Sequence, residues 1–175
     1  MSALLIIIKC QIQKCQGMYL TLLLFTLSLA SIAQEPPPRP VVVTPMPPGL
    51  GFGAFTQGAA GGSVTINSGG SRSSTGDVIL LGLGIPFSAA TFRLVANRGT
   101  VISILNGPDV SLSGSGGGSM ILHLGNTSPL SPFVITSIPP AYTVMNIGGT
   151  LTVGTPVSNP PGSYSGTFNI TFIQE

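Results

Sequence analysis

From Gly162 to Glu175 the side chains change character at nearly every step. Tyr164, Gly166, Phe168, Ile170 and Phe172 fall on one side of an extended chain, and Ser165, Thr167, Asn169 and Thr171 fall on the other. A two-residue period puts one face on a core and the other in water, which is what a half-buried strand requires. The pattern predicts one full strand over 164–172, packed as the last element of a stack of strands.

The same signal recurs upstream. A glycine-interleaved strand is expected over 50–55, with Leu50 and Phe52 in it. Residues 62–67 alternate, and the turn Ser68-Gly69-Gly70-Ser71 follows. Residues 78–81 form a continuous apolar run, as in a strand buried on both faces. Ala90, Phe92, Leu94 and Ala96 alternate with Thr91 and Arg93; the turn Asn97-Arg98-Gly99 and the run 101–105 then predict a hairpin. Further strands are expected over 110–112, 120–124, 133–137, 144–147 and 150–153. Eight or nine short strands at regular spacing, without a helical period after the N-terminal segment, make this an all-β chain, an antiparallel β-sandwich.

The first 33 residues stand apart. After Met18 the chain runs through leucines to Ser31 and Ala33, with Lys9 and Lys14 upstream. That is the pattern of a cleaved export signal over 1–33, with Met18 as an alternative start. A membrane anchor is the competing reading, but the apolar run is shorter than the ~20 residues of a spanning helix. Cleavage removes Cys10, Cys15 and both lysines. The remainder has no disulfide and no thiolate chemistry. Arg39, Arg72, Arg93 and Arg98 then balance Glu35, Asp77, Asp109 and Glu175, four against four, for a formal net charge of zero. A neutral chain without a basic cluster lacks what nucleic-acid binding needs. Its exterior of Ser, Thr, Asn and Gly suits close packing against copies of itself.

Residues 34–48 contain Pro36, Pro37, Pro38, Pro40, Pro45, Pro47 and Pro48. Proline fixes φ and offers no N–H, so this stretch reads as an extended spacer before a domain over 49–175. Val41, Val42 and Val43 in its middle offer a second reading, a short patch that adds to a neighbouring sheet.

Reactive chemistry is sparse. His123, the single histidine, sits between Leu122 and Leu124 and points away from them, toward the surface. A triad would need it beside a serine and Asp77 or Asp109. One His without Cys does not make a zinc site, and two separated aspartates do not make a calcium or a glycosidase site. The run Gly114–Ser119 lacks the lysine and helix of a phosphate loop and reads as a flexible connection. Arg72, Thr75, Gly76 and Asp77 read as turn hydrogen bonds or an Arg–Asp pair. No catalytic, cofactor-binding or metal-binding residue is assigned, and no cofactor.

Several segments in order carry a resemblance. They are Gly62-Ser-Val-Thr-Ile66, Arg72-Ser-Ser-Thr-Gly-Asp-Val-Ile-Leu-Leu81, Ala89-Ala-Thr-Phe92 and the glycine-rich run into Ser119-Met120. Gly148-Gly-Thr-Leu-Thr-Val-Gly154 and Pro161-Gly-Ser-Tyr-Ser-Gly-Thr-Phe168 complete the set, which resembles the bacterial domain-of-unknown-function family 4402 over 50–173. The resemblance implies an exported protein with an immunoglobulin-like sandwich and no established biochemistry. More loosely, the Gly-x-Tyr-x-Gly segment is similar to spore-coat-U-like and fimbrial subunits, which implies assembly with a periplasmic chaperone and an outer-membrane usher.

Two function classes follow. The first is a non-enzymatic exported structural or adhesive cell-surface protein, of the kind of a pilus or fimbria-like subunit, associating with itself or related subunits. Its candidate assembly strands carry Leu50, Phe52, Tyr164, Phe168, Ile170 and Phe172. The alternative is a carbohydrate- or other ligand-binding sandwich with Tyr142 as its aromatic platform.

Overall fold

The computed structural model of the protein describes residues 39–175. The expected export signal, both cysteines and the first three prolines of the arm lie outside the described residues.

The described chain is all-β. Its strands are β1 (Val42–Met46), β2 (Gly51–Phe52), β3 (Ala54–Ile66), β4 (Arg72–Leu81), β5 (Phe87–Ser88), β6 (Ala90–Val95) and β7 (Val101–Asn106). They continue as β8 (Val110–Gly114), β9 (Ser119–Ser128), β10 (Phe133–Val134), β11 (Thr143–Val153), β12 (Tyr164–Ser165) and β13 (Ile170–Gln174). All pairings are antiparallel. The main sheet runs β1-β6-β11-β9-β8-β12, and β3 joins β11 beyond the end of β6 and carries β4. A second sheet runs β10-β7-β13, and β2 pairs with β5. Phe92 of β6 meets Phe172 of β13 edge-on, with ring centroids 5.6 Å apart, and links the two sheets.

Alternation explains the core. In β9, Met120, Leu122 and Leu124 are buried while Ser119, Ile121 and His123 are exposed. Val64, Ile66, Leu94, Ile102, Ile135, Met145 and Ile147 are the largest fully buried side chains. They come from both sheets, so one hydrophobic layer lies between them.

The described residues form thirteen strands where eight or nine were expected. β2, β5, β10 and β12 have two residues each, too short to show a period. In the other direction, the strand expected over 62–67 is the far half of β3, and the runs 144–147 and 150–153 are one strand, β11. The register shifts within both strands, at Gln57/Gly62 and at Ile147/Gly149, which broke the period in the sequence.

Four expectations are corrected. The hairpin predicted over 90–105 does not form. β6 pairs with β1 and β11, whereas β7 pairs with β10 and β13 in the other sheet. The turn itself exists, with Thr100 N donating to Asn97 O and Gly99 at φ 91°. It carries the chain across the sandwich, because Leu94 and Ile102 each bury against opposite layers of one core. Residues 78–81 are not buried on both faces: Val78 is buried and Ile79 is 63% exposed.

The terminal strand is two strands. β12 pairs with β8 and β13 with β7, and 166–169 cross between the sheets. The alternation persists because Tyr164, Phe168, Ile170 and Phe172 keep facing the core during the crossing. Lastly, in the described part of the spacer expected over 34–48, residues 42–46 form β1, paired in register with β6 from Val42–Val95 to Met46–Thr91. Pro45 is admitted because β1 is an edge strand. The carboxamide of Gln174 fastens its entrance: Val41 N donates to Oε1 at 2.9 Å, and Nε2 donates to Arg39 O at 3.2 Å.

Candidate functional site

Leu50, Phe52, Tyr164 and Phe168 come together around one apolar cleft of about 630 Å³. Its other walls include Leu112, Met120, Leu122 and Leu151, which are core residues on the inner face of the main sheet. Leu83 and Ile85 stand at its side, both largely exposed. The opening arises where 166–169 leave β8 for the second sheet. Ile170 and Phe172, the remaining candidates for assembly, do not line it; they pack on the core from β13.

The polar rim is held rigidly. Gln57 Nε2 donates to Asn159 O at 2.6 Å, and the Tyr164 hydroxyl donates to Pro160 O at 2.7 Å. Asn159 is buried; its Nδ2 donates to Ser119 O at 2.6 Å, and its Oδ1 accepts from Gly154 N at 2.5 Å. The 154–160 loop is thereby fixed to the β9 end of the main sheet.

Arg72 makes no pair with Asp77. Its Nη1 donates to Phe52 O and Ala54 O at 2.9 and 3.1 Å, its Nη2 donates to Leu81 O at 3.2 Å, and its guanidinium lies over the Phe87 ring. A straight ten-residue strand would hold Arg72 and Leu81 roughly 30 Å apart. The β3–β4 hairpin therefore doubles over at its register shift, and Arg72 ties its tip to its base. Asp77 instead accepts from Ala60 N, at the bend. Arg72→Met is expected to destabilise by about 2 kcal/mol, since it orphans carbonyls served by a charged donor. Urea denaturation measures it.

The outer face of the main sheet carries hydroxyls in register. Ser73 of β4, Thr65 of β3 and Thr150 of β11 lie across from one another, and Thr75, Ser63 and Thr152 form the adjacent rank. Thr65 and Thr150 share a hydrogen bond of 3.0 Å, and Ser63 and Thr75 one of 2.8 Å. The Ser-x-Thr and Thr-x-Thr spacing was visible in the sequence, but the register that aligns it was not.

His123 continues the first rank, beside Thr150, and its Nδ1 lies 2.7 Å from Asp109 Oδ1. Both side chains are more than half exposed. Such a pair contributes little in water, so His123→Ala is expected to change stability by less than about 0.5 kcal/mol. A loss of fold in that variant, read by circular dichroism, would contradict this. Among the described residues no group of three His, Cys, Asp or Glu side chains is placed to hold a metal. Tyr142 does not line the cleft; it is part-exposed, with the Arg93 guanidinium 4.5 Å from its ring centroid.

Fold and surface together define an antiparallel β-sandwich with an apolar cleft on its core and a hydroxyl-lined outer face. Residues 43–173 match the family described as Domain of unknown function (DUF4402), and the chain belongs to that family. No curated protein and no solved structure matches it.

Proposed function

We propose that this protein is an exported, non-enzymatic structural or adhesive subunit of the cell surface, working through contact between copies of itself or with related subunits. The cleft carries the reading: exposed Leu83 and Ile85 flank it, over a floor that includes the core leucines Leu112, Leu122 and Leu151, at the point where the terminal segment changes sheets. Apolar surface of that kind marks a contact site more often than a solvent surface. The sparse charges support it, because copies can approach without strong repulsion. A chaperone and an usher would be the partners of export and assembly under this reading. Electron microscopy of cells labelled for the protein, with sizing of the extracted species, tests it. Multimeric species at the outer surface are expected; an intracellular monomer would refute it.

A second reading, a carbohydrate-binding module, is favoured by the double rank of hydroxyls, which both donate and accept as sugar hydroxyls do. A glycan array giving a hit that survives Tyr142→Ala and is lost with Thr150→Val would promote it.

A further inference from the structure

A sheet edge exposes unpaired N–H and C=O groups, and proteins blunt such edges with proline, lysine, brevity or cover. The edges of this fold differ in that protection. β1 contains Pro45 and is followed by Pro47 and Pro48. β12 has two residues and is preceded by Pro160 and Pro161; β10 has two residues and is preceded by Pro132. β13 is met by the chain entering β1, through Gln174. β4 has ten residues, contains neither proline nor lysine, and is paired only with β3 among the described residues. Arg72, which could guard it, is turned onto carbonyls of its own hairpin.

The half of β4 beyond the bend is apolar. Val78 and Leu80 face inward, Ile79 faces outward and is 63% exposed, and Leu83 and Ile85 follow, also exposed. No charge lies between Val78 and Leu81. The uncharged, apolar stretch 78–81, beyond the bend and past Asp77, is a template for another strand.

We propose that two copies of this chain join edge to edge through β4, antiparallel, with the two-fold axis on Ile79. That register sets Ile79 against Ile79 on the outer face and Val78 against Leu80 on the inner face, so both cores continue across the junction. It brings no like charges together, and a two-fold junction closes on itself instead of propagating. The proposal rests on the reading that copies associate, and it names the strand.

Two measurements test it. Ile79→Lys puts a charge on an already exposed position, so the fold is kept, as circular dichroism checks, while the dimer dissociation constant rises about tenfold or more. In a chain with Cys10→Ser and Cys15→Ser, Ile79→Cys is expected to give a disulfide-linked dimer on mild oxidation. Leu105→Cys, comparably exposed on β7, is expected to give none. Undiminished association of the Ile79→Lys variant, or equal cross-linking at both positions, overturns the β4 junction and leaves the broader reading standing. A parent chain that is monomeric at all concentrations overturns both.

Discussion

Gly148→Ala is expected to abolish folding. Gly148 is buried within β11, at the register shift, and a Cβ there would lie 2.0 Å from the Ile66 carbonyl oxygen and 2.7 Å from the Asn67 carbonyl carbon. Both are backbone atoms, so no rotamer change relieves the overlap. β3 would have to move away from β11, taking Val64 and Ile66 out of the core. Overpacking and the loss of ladder hydrogen bonds together exceed about 4 kcal/mol, comparable with the whole stability of many domains. Urea titration followed by circular dichroism should show no folded baseline for the variant. Gly125→Ala is the control: its added Cβ would meet nothing closer than 3.6 Å, and the variant should fold. A folded Gly148→Ala protein with parental stability would contradict the pairing of β3 with β11.

Asn159→Ala is expected to cost about 3 kcal/mol. The side chain is 2% exposed and links three segments: Gly154 N donates to its Oδ1, and its Nδ2 donates to Ser119 O and Ser158 O. Alanine removes these partners of Gly154 N–H and Ser119 C=O, and each buried group left without a partner costs about 1–3 kcal/mol. Asn159→Asp keeps the shape and removes both donors, so it should be at least as damaging. Ser158→Ala, at an exposed neighbour, should stay within about 0.5 kcal/mol. Because this loop also bears Pro160 and the rim bond from Gln57, Asn159→Ala should loosen the cleft wall as well. Hydrogen exchange of the Gly154 amide reports that directly. Unchanged protection there would refute the role of Asn159 as the loop's anchor.

Much of the architecture was legible in side-chain alternation. The alternation around Val64, Leu94 and Leu122 separates the buried face from the other, because burial of every second residue is a local property. The glycine-rich link between β8 and β9 was also read as a connection, and these two strands do pair directly. Partner choice was not legible. Ala90–Val95 and Val101–Asn106 flank a good turn, yet each finds its partners in a different sheet. A turn sets the distance between two strands, but core packing of residues far apart in sequence decides which edge each strand takes. The crossing at 166–169 was hidden for a similar reason, since the period continues through it unbroken.

The candidate site was half legible. Leu50, Phe52, Tyr164 and Phe168 were selected as strand residues and prove to share the cleft. The core leucines that form its walls could not be selected, because in sequence they are indistinguishable from any inward-facing residue. Arg72 was read as a turn residue near Asp77, and its contacts with the base of its own hairpin depend on a bend that only the folded chain contains.

Under the proposed function this surface serves contact between copies. Sedimentation equilibrium of the purified protein over a wide range of concentration tests it most directly. The account predicts a reversible shift from monomer to dimer or larger species, weakened by Ile79→Lys. A single ideal monomer across the whole range, for a protein shown to be folded, would contradict it.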